Sequence, residues 1–202
     1  MALKQDIIQV AAARMNQVGI RSVSVDDICH ELGISKKTFY VHFNSKDALI
    51  EALLHINEEK LQSNLNAMVK RKTVVQAMKD WMAIAKTANQ SDDETRPMMY
   101  DLKKYYPDVV EKHEKAIRTI LQQFLVVFLQ KGIDEHIFRA EIDVELSAML
   151  FIDVHKSLIY KANKLRLTKE RLHQIGKHSM DILLRGVLTP EGFATLEKEV
   201  NK

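Results

Sequence analysis

Apolar residues recur every three or four positions from the start of the chain. Leu3, Ile7, Ala11, Met15 and Val18 fall on one face of a helix over about 3–18. Gly19 stands where a left-handed C-terminal cap is expected. Ser24 followed three residues on by Asp27 is close to a capping box and predicts a second helix over about 25–32. Gly33, Ile34 and Ser35 interrupt it. Ser35 can cap a third helix over 36–42, and Asn44 or Ser45 a fourth that continues to about Lys70. Thr73 to Gln76 forms another capping box, opening a helix to about Asn89. The polar stretch 90–96 reads as a loop. Pro97 starts a short helix to Tyr105, and Pro107 a longer one expected to run to Lys131 and stop at Gly132. After a connection over 132–142, Asp143 caps a helix to about Asn163, Thr168 one to about Leu188, and Pro190 begins a short terminal helix. There is no internal repeat or low-complexity tract.

Composition supports an all-α fold. Six Gly and three Pro in 202 residues are about 4.5%, against a usual figure near 12%. A β-rich chain needs more of these residues for its turns. With 46% apolar and 28% charged residues the chain can bury a core without staples. The longest apolar run, Phe124 to Leu129, is far from the roughly 20 residues of a membrane span. Polar residues from Asp6 onward argue against a signal peptide, so no membrane partner is expected. A lone cysteine, Cys29, forbids an internal disulfide and fits a reducing cytoplasm. A net charge of +3 is too small by itself to indicate nucleic acid.

The second and third helices are both very short and joined by a Gly-containing turn, the proportions of a helix-turn-helix. Ile28 and Leu32 share one face of the second helix, Ile34 lies in the turn, and Phe39 and Phe43 share one face of the third. Packed inward, these five leave the other face of the third helix free. That face carries Lys36, Lys37, Thr38, Tyr40 and His42, followed by Lys46. From Gly33 to Lys46 there are three lysines and no carboxylate, yet residues 1–50 hold six basic and five acidic side chains. The positive charge is concentrated where a recognition helix would meet DNA. Lysine and hydroxyl groups suit phosphate oxygens, and lysine can donate to guanine O6 and N7. Backbone N–H groups near Ser24 and Ser35 could also serve phosphates. Taken alone, three lysines near a turn equally describe a solvated surface.

The run from Ser22 to Leu49 closely resembles the DNA-binding domain of TetR/AcrR-family transcriptional regulators. The specific part is Gly33-Ile34-Ser35-Lys36, then Thr38-Phe39-Tyr40, His42-Phe43 and Ser45-Lys46-Asp47-Ala48-Leu49. The segment Leu183 to Gly192 also looks like the family's C-terminus. Lys37 departs from the family's frequent glycine. The resemblance implies a DNA-binding domain over 1–50 and a helical effector-binding and dimerisation domain over 51–202. It implies a homodimeric, ligand-responsive repressor that places its third helix in the major groove of a pseudo-palindromic operator. By position it implies DNA contacts from Ser24, Ser35, Lys36, Lys37, Thr38, Tyr40, His42 and Lys46, with Lys37 and Thr38 the candidates for bases.

In the remainder, the helix after Asp143 carries Phe151, His155 and Leu158 on one side, and the next carries Ile175, Ser179 and Leu183. Both apolar stripes are wide for one-sided burial. That width fits a four-helix dimer interface between symmetry mates, the alternative being a buried monomer core. Trp81, Met82, Met99, Tyr100, Phe124 and Phe128 are core candidates that could also line a pocket for a small apolar or amphipathic effector. The fourth helix would be the lever between operator and effector.

Two rival readings carry less. An enzyme would need a constellation that is missing: there is no Gly-rich phosphate loop, and Glu170-x-x-His173 lacks the second pair and further glutamates of a di-iron bundle. No cofactor or metal is therefore expected. A helical adaptor would make the charged third helix incidental. Binding that is salt-labile and shows no sequence motif would favour it.

Overall fold

The computed structural model describes residues 2–80, 97–165 and 167–200. It is all-α, with no strand among the described residues. The helices are α1 (Ala2–Val18), α2 (Val25–Leu32), α3 (Lys36–His42) and α4 (Lys46–Arg71). An α5 is described over 74–80. There follow α6 (Pro97–Tyr105), α7 (Pro107–Asp134), α8 (Val144–Lys164), α9 (Lys169–Val187) and α10 (Pro190–Val200). The expected caps form. Ser45 Oγ accepts from Ala48 N–H at 3.0 Å, which settles the α4 start on Ser45 rather than Asn44. Asp143 and Thr168 accept at 2.9 and 3.3 Å from the backbone N–H of Leu146 and Arg171. Each satisfies an orphan donor of the first turn.

One expected helix end is wrong. Helix α7 does not stop at Gly132 but runs through it to Asp134. The left-handed residue is His136, at φ 59°. His136 N–H donates to the Ile133 carbonyl at 3.0 Å and Ile137 N–H to the Gly132 carbonyl at 2.8 Å, the paired bonds of a Schellman motif. The glycine serves a different purpose. A Cβ on Gly132 would lie 1.9 Å from Cδ2 of Phe138, so glycine is needed for the ring to lie against the helix backbone.

The chain divides into two compact units. The first comprises Met1–Lys60 and Asp92–Ile117. Its core joins Ile7, Met15, Ile28, Phe39, Leu49 and Leu102, all fully buried or nearly so. Helix α1 packs on both α2 and α6, and α2 on α3. The N-terminal helices thus share their core with α6 and the start of α7, as well as with α4. Asp101 of α6 accepts from Arg21 N–H at 3.0 Å. A Cβ on Gly19 would meet the same carboxylate at 2.8 Å, and Gly19 itself sits at φ +87°.

The second unit comprises Leu61–Ser91 and Arg118–Lys202. Its core centres on Phe124, Phe128, Leu129, Phe138, Ala148 and Ile152. Helix α8 packs on α9. The connection after α7 is stitched to the end of α9: Arg139 N–H donates to the Val187 carbonyl at 2.8 Å and Thr189 N–H to the Ile137 carbonyl at 2.9 Å. Thr189 Oγ1 then accepts from Gly192 N–H at 2.9 Å and starts α10.

Candidate nucleic-acid interface

The two short helices are delimited by side chains a few residues apart. Ser24 Oγ accepts from Asp27 N–H at 3.1 Å, and Asp27 accepts from Ser24 N–H at 2.7 Å, so the capping box closes in both directions. These bonds, the Ser24 hydroxyl first, hold the Asp27 carboxyl below its ordinary pKa. At the other end Gly33 takes φ 63°. Its N–H reaches the His30 carbonyl at 3.2 Å, and Ile34 N–H the Cys29 carbonyl at 3.0 Å. That Schellman cap turns the chain sharply into Ser35. Ser35 Oγ accepts from Thr38 N–H at 3.0 Å and opens α3.

The turn carries α3 across the core on two rings. Phe39 is fully buried and Phe43 nearly so. Their centroids are 5.8 Å apart. Ile28 is fully buried behind them, while Leu32 and Ile34 are partly buried against the same core. Lys4 of α1 lies 5.4 Å from the Phe43 ring centroid. Burying a phenylalanine is worth about 1.5–3 kcal/mol, ample to hold a seven-residue helix that could not persist alone.

The opposite face is wet. Lys37 and Tyr40 are exposed. Tyr40 stands edge-on to Phe39 at 5.4 Å, which fixes its ring. Lys37 has no ion pair among the described residues. The other two lysines of the cluster are engaged. Lys36 pairs with Asp26 at 2.9 Å, both side chains being well exposed. The Asp26 hydrogen bond raises its pKa, but such a surface pair is weak and phosphate can replace the carboxylate. Lys46 is half-buried and donates to the Ile20 carbonyl at 2.5 Å. Burial lowers its pKa. It ties α4 to the connection before α2 and keeps two further ammonium donors. Thr38 and His42 are partly exposed at the flanks, and Thr38 Oγ1 lies 2.8 Å from Ser35 Oγ. Ser24 and Ser35 are exposed but committed to their caps. A reading by charge and hydroxyls passes over Val41. At 75% it is the most exposed large apolar side chain among the described residues.

Residues 7–53, which span α1 through the first turns of α4, match the family described as "Bacterial regulatory proteins, tetR family". Residues 7–53 are a TetR-family helix-turn-helix domain. The chain is 24% identical over 153 residues to the HTH-type transcriptional repressor KstR2 of Rhodococcus jostii (strain RHA1), covering 71% of this chain and 72% of that one. It is 21% identical over 201 residues to the HTH-type transcriptional regulator YerO of Bacillus subtilis (strain 168), covering 91% of this chain but 65% of the relative. Its fold is shared with the crystal structure of a transcriptional regulator from Cytophaga hutchinsonii ATCC 33406. The TM-score is 0.74 at 14% identity, over 91% of this chain and 97% of that one. The chain thus carries the helix-turn-helix of a TetR-family transcriptional regulator. No helix among the described residues is long and apolar enough to cross a membrane.

The remaining candidates fall in several places. Trp81 and Met82 lie outside the described residues. Met99 and Tyr100 belong to the first unit, where Met99 is partly buried. Tyr100 is exposed, its hydroxyl 3.2 Å from Lys104 Nζ. Phe124 and Phe128 belong to the core of the second unit, stacked at 5.7 Å. Phe138 continues that cluster 5.6 Å from Phe128. Among the α8 and α9 candidates, Phe151 is buried in the same core, His155 is exposed, and Leu158, Ile175, Ser179 and Leu183 are half-buried. The outward apolar residues are others: Leu146, Met149, Leu150 and Tyr160 on α8 and Ile182 on α9. A helical wheel of α8 could have found them, because Leu146 and Leu150 stand opposite Ala148 and Ile152 at about 100° per residue.

Proposed function

We propose that this TetR-family regulator is a homodimeric repressor. It would bind a pseudo-palindromic operator with α3 of each subunit and be released by a small apolar or amphipathic molecule. On this reading residues 1–50 are the DNA-binding domain and 51–202 the effector-binding and dimerisation domain. The observation that carries the DNA-binding part is the two-sidedness of α3, with Phe39 and Phe43 buried and Lys37 and Tyr40 exposed. Lys37 and Thr38 face bases. Tyr40, His42, Lys46 and Lys36 serve phosphates, as do the backbone groups at Ser24 and Ser35. Selection from random duplexes at physiological salt tests it. A symmetric motif with half-sites about one helical turn apart is expected. Weak binding without a motif, lost on modest addition of salt, would overturn it.

Dimerisation through α8 and α9 is supported by apolar residues on both sides of α8. Phe151 and Ile152 go to the subunit core, while Leu146 and Leu150 remain uncovered by it. Gly176 supports it too, since nothing lies within 4 Å of where its Cβ would be, which leaves room for a close helix. Leu150→Glu is expected to convert the dimer to monomer in sedimentation velocity at micromolar concentration, because the two copies would bury two uncompensated carboxylates at the symmetric seam. An unchanged sedimentation coefficient would argue against this interface.

The effector is placed in the second unit, against Phe124 and Phe128, supported by the aromatic cluster that these rings form with Phe138. A ligand that shifts the spacing of two recognition helices reduces operator affinity by its preference for the shifted state. Helix α4, unbroken from Lys46 to Arg71, supports a lever role. Once an effector is found by screening for operator release, Phe128→Ala is expected to weaken its binding at least tenfold by calorimetry. Unchanged affinity would move the pocket elsewhere.

A further inference from the structure

We infer that Val41 reads sequence in the operator, by packing its isopropyl group on the C5-methyl of a thymine in each half-site. This rests on the helix-turn-helix reading above and names a contact within it. At about 100° per residue, Val41 lies directly opposite the bisector of Phe39 and Phe43, the two rings that seat α3. It is therefore the centre of the outward face, with Lys37 one turn before it and Tyr40 and Thr38 to either side. A helix lying in the major groove turns the centre of its outer face to the base edges and its flanks to the phosphate rims. The 75% exposure of Val41 is the largest of any large apolar residue among the described residues, and no side chain of the subunit covers it.

Its chemistry then selects the base. Valine offers no donor or acceptor. Set against guanine O6 and N7, adenine N7 and N6, or the amino group of cytosine, it would strip water from a polar edge and return nothing. Thymine alone among the unmodified bases presents a methyl group in the major groove. A neighbouring lysine at the i−4 position can reach a guanine or a phosphate beside that thymine without competing for it.

The test uses the full-length protein and the operator recovered by selection from random, unmethylated duplexes. Each thymine is replaced in turn by deoxyuridine, which removes the methyl group and preserves pairing. The parent protein is expected to lose about fourfold in affinity at one thymine position in each half-site, the scale of one methyl group's burial. Val41→Ala, which loses the contact in both half-sites at once, is expected to bind the parent operator roughly 16-fold more weakly and to be indifferent to deoxyuridine at that position. Its exposure predicts unchanged thermal unfolding, which checks that the variant is folded. If every deoxyuridine operator is bound as tightly as the parent, or if Val41→Ala keeps the same sensitivity, the assignment is wrong while the helix-turn-helix stands. If no motif is enriched at all, the assignment falls together with the reading beneath it.

Discussion

A Lys37→Glu protein is expected to bind the selected operator at least 100-fold more weakly than the parent at physiological salt, and to unfold at the same temperature. The side chain is exposed and has no ion pair among the described residues, so its removal breaks nothing inside the subunit. Exposed substitutions of this kind usually change stability by less than about 0.5 kcal/mol. A carboxylate in the first turn even suits the helix dipole of α3. Function is different. Between Gly33 and Lys46 the formal charge falls from +3, three lysines and no carboxylate, to +1, two lysines and one glutamate. Lys36 already shares its charge with Asp26, and Lys46 is held on the Ile20 carbonyl. Lys37 is thus the cation most available to a duplex. Losing one contact and adding one repulsion costs about 1.5 kcal/mol per half-site, and two half-sites make roughly 100-fold. Fluorescence anisotropy measures it, with Lys37→Gln to separate lost attraction from added repulsion. A loss smaller than threefold for Lys37→Glu would remove α3 from the interface.

Gly132→Ala is expected to destabilise the second unit by about 3 kcal/mol and lower its midpoint of thermal unfolding by about 10 °C. The new methyl would sit 1.9 Å from Phe138 Cδ2 and 2.3 Å from Cε2. The ring has nowhere to go. It is 1% exposed and packs 5.6 Å from Phe128. The backbone on which it sits is pinned as well, since Ile137 and Phe138 both donate to the Gly132 carbonyl, at 2.8 and 2.9 Å. Ordinarily alanine improves a helix interior by up to about 1 kcal/mol over glycine. Gly186→Ala is the control, because nothing lies within 4 Å of its Cβ position, and it is expected to be neutral or slightly stabilising. A Gly132→Ala protein as stable as the parent would mean that the close approach of Phe138 is not tight.

Most helix boundaries were legible because their causes lie within a few residues. Ser24 with Asp27, Gly33, Ser35, Ser45, Asp143 and Thr168 each act on backbone groups one turn away. The period of apolar residues likewise reports which side of a helix meets the core, so Phe39 and Phe43 could be placed inward and Lys37 and Tyr40 outward from their spacing alone. The same local reasoning misjudged Gly132. A glycine after an apolar helix signals a stop, and nothing nearby in sequence reveals a ring six residues on that needs the missing Cβ.

What the amino-acid sequence by itself determined was the helical class, the short helix-turn-helix and the two-sided character of α3, because capping and periodicity are properties of neighbours along the chain. Only the tertiary structure decided which lysines are spoken for, that α6 joins the N-terminal core through Asp101, and which apolar residues of α8 stay uncovered. Those outcomes depend on groups brought together across tens of residues by burial, and burial depends on the whole fold rather than on any one segment of it.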